Sequence, residues 1–184
     1  MFRRIFTILV FGSLLSACVS TPEIRSDYDK SIDFSHYKTF AFIQPLATDS
    51  AGYSTLLTLQ IKRAVQSQLE ARGYVYNQGN PDLLINFNAK AENKTVVTHT
   101  PIPSYYDYRG RMYLPWSNYA YETTIDQYKE GTLNIDIVDA AGKQLVWEGV
   151  AIGRVTPKAE KEREARINSA VAEIFMQYPF SVSQ

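Results

Sequence analysis

Alternating apolar and polar residues predict most of the strands in this chain. The most regular alternation runs over Asp82–Glu92, and a second, over Gly131–Asp139, places leucine and isoleucine on one face and asparagine and aspartate on the other. A period of two residues is typical of a strand with one buried face. Two segments rich in aromatic and β-branched residues, His36–Ile43 and Gln144–Val155, predict further strands. Ile24–Tyr28 is a candidate for a brief one.

A different period, of three to four residues, predicts a helix from Ser54 to Arg72. Its apolar residues lie on one stripe, which is typical of a helix packed on a core. Gly73 follows directly, where a left-handed residue suits a C-terminal cap.

The last element is also predicted to be a helix. Thr156 is a candidate N-cap, Pro157 suits the first helical position, and Pro179 ends the pattern. Its first part, residues 158–166, carries seven charges, and its second part carries an apolar stripe. We expect one continuous helix, solvated at its start and packed on the core at its end.

The order of strand, helix, several antiparallel strands and helix predicts an α+β fold. Two layers are the economical arrangement: a mostly antiparallel sheet with two helices packed on one face. The first strand-helix-strand unit is expected to be a right-handed parallel crossover. The single domain is predicted over residues 34–180, after an acylated N-terminus and tether at 18–33 and before a tail at 181–184.

The N-terminus has the three parts of a secretory signal peptide, predicted here over residues 1–17. Arg3 and Arg4 precede an apolar run over Ile5–Leu15, and small residues follow. A spanning helix needs about 20 apolar residues, so this run is too short to be a stable transmembrane anchor.

Cys18, the sole cysteine, follows Leu15-Ser16-Ala17 directly. This arrangement resembles the bacterial lipobox, in which cleavage leaves the cysteine first and acyl chains are attached to it. The alternative is a soluble secreted protein with a chance cysteine at the cleavage point. Val19, rather than aspartate, follows the cysteine, which by similarity to the sorting rule of Gram-negative lipoproteins favours the outer membrane, with the domain facing the periplasm.

Composition narrows the function without identifying it. The 184 residues carry 19 Lys+Arg and 19 Asp+Glu, and removing residues 1–17 takes away two arginines and no acid. Nucleic-acid binding needs a concentrated basic field, so no nucleic-acid partner is expected. One cysteine cannot form an internal disulfide or a thiolate-rich zinc site.

Several short motifs follow one another in a fixed order along the mature chain. They are Asp27-Tyr28-Asp29, Asp33-Phe34, Tyr37–Phe42, Ala64-Val65, Gly73-Tyr74, Pro81-Asp82-Leu83, Gly131–Asp136, Leu145–Gly149, and Ala170-Val171 through Tyr178-Pro179. In these motifs the chain resembles the bacterial lipoprotein family called domain of unknown function 4136. The resemblance implies an envelope lipoprotein domain of α/β character with no established activity, and it transfers no catalytic residue.

The sequence contains none of the common catalytic or nucleotide-binding motifs: HExxH, GxSxG, a P-loop or GxGxxG. His36 and His99 are far apart along the chain, and Ser104 near His99 has no organising motif. Carboxylate pairs such as Asp27/Asp29 and Asp136/Asp139 would serve acid-base chemistry only if the fold brought partners to them. We therefore expect no cofactor, no metal and no catalytic residue.

A tyrosine-rich loop, predicted at residues 101–118, is the candidate contact site. Seven of the 13 tyrosines lie between Pro101 and Tyr128. Tyrosine and tryptophan offer stiff contact area with a polar tip, which suits protein or glycan partners. A long β-hairpin whose aromatic side chains cover one another is the competing interpretation. The candidate contact residues are Tyr105, Tyr106, Tyr108, Arg109, Arg111, Tyr113, Trp116 and Tyr119.

A second candidate surface is the polar row of the predicted sheet. Its members are Asn86, Asn88, Asn134, Asp136 and Glu148, and an ordinary solvated sheet face would carry the same residues.

Two functions from different classes remain open. The first is a non-enzymatic envelope lipoprotein, held in the membrane by acyl chains on Cys18, that binds an envelope protein or glycan. The alternative is a hydrolase acting on cell-wall or lipid material.

Overall fold

The computed structural model describes residues 21–49, 54–101 and 121–182. Within them, six strands form one sheet in the order β1-β6-β5-β4-β2-β3. Along the chain the strands are β1 Glu23–Tyr28, β2 Thr39–Phe42, β3 Val75–Tyr76, β4 Leu83–Pro101, β5 Tyr121–Asp139 and β6 Leu145–Val155. The helices are α1 Leu56–Glu70, α2 Pro157–Lys161 and α3 Arg163–Met176, and a 3-10 turn spans Phe34–His36.

The sheet is mixed and mostly antiparallel, which confirms the predicted α+β class. Strands β1, β6, β5 and β4 pair antiparallel to one another. Strand β2 pairs parallel to both β3 and β4. Because α1 lies between β2 and β4 in the chain, the parallel crossover expected there is present.

One face of the sheet supplies the core. We call its residues the inner row: Leu83, Ile85 and Phe87 of β4, Ile135 and Ile137 of β5, Trp147 of β6, and Phe40 and Phe42 of β2 are all buried. They form one hydrophobic cluster with Ile61, Val65 and Leu69 of α1 and Val171, Ile174 and Phe175 of α3. The alternation read from the sequence therefore identified the buried face correctly.

Gly149 allows the largest core side chain to lie flat on the sheet. The Trp147 ring stacks on Phe175, with ring centroids 5.7 Å apart, and meets Tyr178 edge-on at 5.1 Å. A Cβ atom at Gly149 would overlap Trp147 Cη2 and lie 2.5 Å from Ile174 Cγ2. The absence of a side chain at Gly149 is therefore what lets the indole and α3 approach the backbone of β6.

Helix α1 begins and ends as the sequence predicts, to within two residues. The Thr55 hydroxyl accepts a hydrogen bond from the Thr58 N–H at 3.1 Å, which caps the helix. Gly73 has φ +88° and the Tyr74 N–H donates to the Leu69 carbonyl, as expected of a left-handed C-terminal cap.

The prediction of one continuous C-terminal helix is wrong. Glu162, with φ −102° and ψ 25°, separates α2 from α3. Pro157, Lys158, Glu160 and Lys161 are exposed, so no core packing holds this segment in line with α3. The apolar half of the predicted helix is α3, which packs on the core as expected.

The turn between β5 and β6 does not place glycine at positive φ, the residue type expected there. Lys143, at φ 54°, takes the left-handed conformation, and the Gly142 N–H donates to Asp139 Oδ1. A register shift between Ile137 and Val138 changes the start of β6. Strict alternation from the buried Trp147 would put Leu145 on the inner face, but Val146 is buried and Leu145 is 46% exposed.

Asp82 ties the start of β2 to the start of β4. Its Oδ2 accepts hydrogen bonds from the Lys38 N–H, the Thr39 N–H and the Thr39 hydroxyl, all at 2.9 Å. The Asp82 N–H donates to Thr39 Oγ1 in return. Burial alone would raise the pKa of the Asp82 carboxyl, but these hydrogen bonds stabilise the charged form more and hold the pKa below its ordinary value.

Gly149→Ala is expected to destabilise the protein by about 1–3 kcal/mol, because the new methyl group overpacks the contact between Trp147 and Ile174. Gly153→Ala is the matched control in the same strand. A Cβ there would lie 3.5 Å from Pro22 Cβ, an ordinary contact, so its change should stay within about 0.5 kcal/mol. Denaturant unfolding measures both variants, and equal losses would contradict the packing role of Gly149.

Asp82→Asn is expected to lower the free energy of unfolding by about 1–2 kcal/mol at pH 7, because the charged acceptor of three hydrogen bonds is lost. The folded-state pKa of Asp82 lies below its ordinary 3.8. The stabilisation is therefore present above that value and is lost as the pH falls through the folded pKa.

The free energies of unfolding of the wild type and the variant should accordingly converge as the pH falls through the folded-state pKa, which lies below 3.8. Asp126→Asn is the control, because Asp126 forms an exposed ion pair with Arg154 and its loss should cost less than about 1 kcal/mol. A wild-type advantage that persists undiminished in acid would contradict the assignment to the Asp82 charge.

Candidate functional site

The first candidate site is carried by a two-stranded extension of the sheet, which we call the ribbon. It comprises residues 94–101 of β4 and 121–128 of β5, joined by eight cross-strand pairs from Lys94–Tyr128 to Pro101–Tyr121. The partner strands stop short of it: β6 pairs with β5 only as far as Lys129, and β2 pairs with β4 only at residues 83–85. Both outer edges of the ribbon therefore offer backbone N–H and C=O groups.

The ribbon corrects two boundaries drawn from the sequence. The sequence predicted strands over Asp82–Glu92 and Gly131–Asp139 and left open whether Val96-Val97 extends the first strand or begins another. In the structure β4 continues through these two residues to Pro101, where the predicted loop began. The candidate contact residues all lie outside the described residues, as does Cys18. They are Tyr105, Tyr106, Tyr108, Arg109, Arg111, Tyr113, Trp116 and Tyr119. Their proposed contacts stay predictions.

Apolar side chains lie exposed along the ribbon. Val97 and Ile125 are directly opposite each other and are 51% and 62% exposed. Val96 and Tyr121 are 43% and 56% exposed. Nearly all residues of the ribbon are exposed, so these side chains add apolar surface to it.

The base of the ribbon is held by charged contacts. Arg154 of β6 donates to Asp126 Oδ2 at 2.9 Å, and its guanidinium carbon lies 3.9 Å from the centroid of the Tyr128 ring. Lys94 Nζ lies 3.5 Å from Glu130 Oε1. These contacts fix the ribbon where it leaves the sheet.

The polar row is the second candidate, and the structure brings its members together on neighbouring strands. Asn86 pairs with Asp136, which pairs with Glu148, and Asn88 pairs with Asn134. The Asp136 carboxylate accepts from Asn86 Nδ2 at 3.3 Å and from Asn134 Nδ2 at 2.7 Å. Because amides already satisfy this carboxylate, the row forms a cross-strand hydrogen-bond network on the outer face.

A cleft of about 620 Å³ lies at the end of the sheet where β2 begins, between Tyr37, Asp82 and Asp139. The Tyr37 hydroxyl donates to Asp139 Oδ2 at 2.9 Å. Burial, together with this bond and the charge of Asp139, raises the pKa of Tyr37 to about 12, so the phenol stays protonated at neutral pH. The backbone of β2 donates hydrogen bonds to Asp82, and Tyr37 donates one to Asp139. Both carboxylates of the cleft therefore already accept hydrogen bonds from the protein.

The other candidate catalytic groups are not assembled into a common site. His36 lies 3.2 Å from Asp33 on the 3-10 turn, whereas His99 Nδ1 lies 3.0 Å from Thr123 Oγ1 in the ribbon. Asp29 accepts hydrogen bonds from Ser31 and Gln144. Across residues 21–49, 54–101 and 121–182, no three His, Cys, Asp or Glu side chains cluster as metal ligands.

A third surface was missed by the sequence reasoning. A groove of about 660 Å³, which we call the inner groove, lies between α3 and the sheet, beyond the end of the inner row. Its floor consists of small residues, among them Ala89, Ala91, Gly131 and Gly153. Small residues at alternate positions of predicted strands were its sequence signal.

No helix in the described part of the chain has the length and hydropathy needed to cross a membrane. A comparison with curated proteins found no match.

Among solved structures, the chain is similar to a PDZ domain protein from Parabacteroides distasonis, with a TM-score of 0.57 and 17% identity, over 87% of this chain and 36% of that one. This chain thus spans little more than a third of that protein's length. Weaker similarities, with TM-scores of 0.48 and 0.41, are to the PelC dodecamer from Paraburkholderia phytofirmans and to a minor lipoprotein from Acinetobacter baumannii. Their identities are 10% and 12%; the first covers 89% of this chain and 99% of that one, the second 77% and 92%. At these identities the comparison concerns the fold alone.

A family model matches residues 24–180, which span the sheet from β1 to β6, all three helices and the two strands of the ribbon. This range also contains the motifs on which the family resemblance rests. The chain therefore belongs to the family described as domain of unknown function 4136.

Proposed function

We propose that this protein is a non-enzymatic lipoprotein of the cell envelope that binds an envelope protein or glycan. The ribbon is the observation that carries the proposal. Fifteen of its sixteen residues are exposed, no strand in the described part of the chain pairs along its outer edges, and it bears apolar side chains in solvent. Such a feature adds little to the stability of the domain but presents a large contact area.

Two modes of contact suit this arrangement. An extended segment of a partner could add to either edge of the ribbon by main-chain hydrogen bonds. The tyrosines and Trp116 of the segment between the two strands would supply stiff aromatic area for a protein or a glycan. The mature chain has 17 basic and 19 acidic side chains, a balance that disfavours nucleic acid.

The anchor in this proposal is Cys18, acylated after removal of residues 1–17. One acyl chain holds a protein only marginally, at about 0.8 kcal/mol per buried CH₂, whereas two or more hold it persistently. Val19 favours the outer membrane, with the domain facing the periplasm.

The packing of the domain fits this arrangement. We infer a two-layer sandwich in which α1 and α3 cover the inner face of the sheet. The outer face, with Asn86, Asn134 and Asp136, would then remain open beside the ribbon. The hydrolase alternative gains no support from the described carboxylates, because Asp82, Asp136 and Asp139 already accept hydrogen bonds from the protein itself.

In-cell crosslinking with mass spectrometry tests the binding role. The protein with residues 102–120 replaced by a short glycine-serine turn keeps both strands, and we expect it to lose a crosslinked envelope protein or glycan that the wild type retains. In the matched control, residues 140–143 of the β5–β6 hairpin are replaced by the same glycine-serine turn. This control should leave the crosslinks unchanged. Crosslinks that survive the first replacement would contradict the contact role of the aromatic segment.

Ile125→Lys separates a role of the ribbon itself from a role of its tip. Lysine adds charge to an exposed apolar position, so the fold should be retained while partner crosslinks fall. Val75→Lys, at a 61% exposed valine of β3, is the matched control. Thermal unfolding checks that both variants remain folded, and equal crosslinking in the two would argue against apolar contact at the ribbon.

A further inference from the structure

The inner groove exists because the side chains on the inner face of the sheet change from bulky to small beyond the end of the inner row. Beneath the helices, Phe87 pairs with Ile135, and Ile85 with Ile137. One rung further, Ala89 pairs with Leu133 and Leu133 with Ala151. The next rung is smaller still, with Ala91 beside Gly131 and Gly131 beside Gly153. Pro22 and Val155 approach the two glycines, whereas the described side chains leave the space over Ala89 and Ala91 open.

The walls of the groove are apolar where they meet this floor. Leu57 of α1 and Ile167 and Ala170 of α3 line it, and each is only partly buried. The rim is charged: Lys129 of β5 and Glu160 of α2 both line the groove, and Lys129 Nζ lies 3.9 Å from Glu160 Oε1. An apolar floor beneath a polar rim matches a hydrocarbon chain that ends in a polar linkage.

One end of the groove is formed by the start of the folded chain. Thr21 and Pro22 line it, and Pro22 Cβ lies 3.5 Å from the position that a Cβ on Gly153 would occupy. Cys18 is three residues before Thr21. Three fully extended residues span at most about 11 Å, so the sulfur of Cys18 cannot be far from the mouth of the groove.

We propose that the inner groove is the binding site for one of the acyl chains attached to Cys18. The inference rests on the acylation that the proposed function assigns to Cys18. The short tether makes binding intramolecular, which gives the acyl chain a high effective concentration at the groove. The bilayer and the groove then compete for the same acyl chain. The groove shields that acyl chain from water whenever the protein is away from a membrane.

The test uses the full acylated protein, expressed in bacteria fed a photoactivatable fatty acid. After detergent extraction and illumination, mass spectrometry identifies which peptides are joined. The expected product links the Cys18 peptide, through its own acyl chain, to groove peptides containing Ala91 or Ile167.

Ala89→Trp should abolish this product, because the indole fills the floor of the groove. Asn88→Trp is the matched control, since Asn88 is the adjacent, exposed residue on the opposite face of the same strand. Ala91→Trp, at an exposed position of the floor, serves as a second blocking variant if Ala89→Trp fails to fold.

Each other outcome overturns the proposal in a distinguishable way. Groove peptides joined only to phospholipid, in the wild type and in Cys18→Ser alike, would show that a membrane lipid is the occupant. A labelled Cys18 peptide without groove crosslinks would show that Cys18 is acylated, as the proposed function requires, but that its acyl chain stays outside the groove. An unlabelled Cys18 would contradict the anchor itself, and with it the proposed function.

Discussion

The contact of Trp147 with α3 across Gly149 is the constraint on which the rest of the fold depends. The indole is fully buried, stacks on Phe175 and lies over a backbone position that has no side chain. Its N–H finds no acceptor among the described residues, so the ring is held by packing rather than by a hydrogen bond. This one approach sets how closely α3 packs on β6, the strand that also lines the inner groove.

The sequence predicted the parts of the fold that are half buried. In the first half of β4, burial alternates with position, and the alternation of Leu83, Ile85 and Phe87 records it directly. Beyond Glu92 the sequence left the extent of this strand open at Val96-Val97, because both faces of the strand meet solvent there and no apolar period marks it. Pairing with β5 continues there along the hairpin, and a pattern of apolar and polar residues in one strand carries no information about such pairing.

The remaining errors concern local backbone geometry. The register shift at Ile137 and Val138 exchanges Leu145 and Val146 between faces, and two adjacent apolar residues give no sign of which will be buried. Likewise Lys143, rather than Gly142, takes positive φ, and the Gly142 N–H donates to Asp139 Oδ1. Of the candidate sites, the polar row was predictable from spacing, whereas the inner groove required knowing which small residues share a rung.

The register of β1 has a consequence for the orientation of the whole domain. Glu23 pairs with Ile152, three residues from the rung at Lys129 and Val155 where the ribbon begins. The chain therefore enters the fold at the foot of the ribbon, which extends by eight residues, about 27 Å. Five extended residues from Cys18 to Glu23 span at most about 18 Å, which is less than the length of the ribbon. Under the anchoring proposed above, the ribbon therefore cannot point straight at the lipid surface without meeting it, and is directed along that surface or away from it. The proposed anchor and the ribbon would together limit the height in the envelope at which a partner is met, before any side chain recognises it.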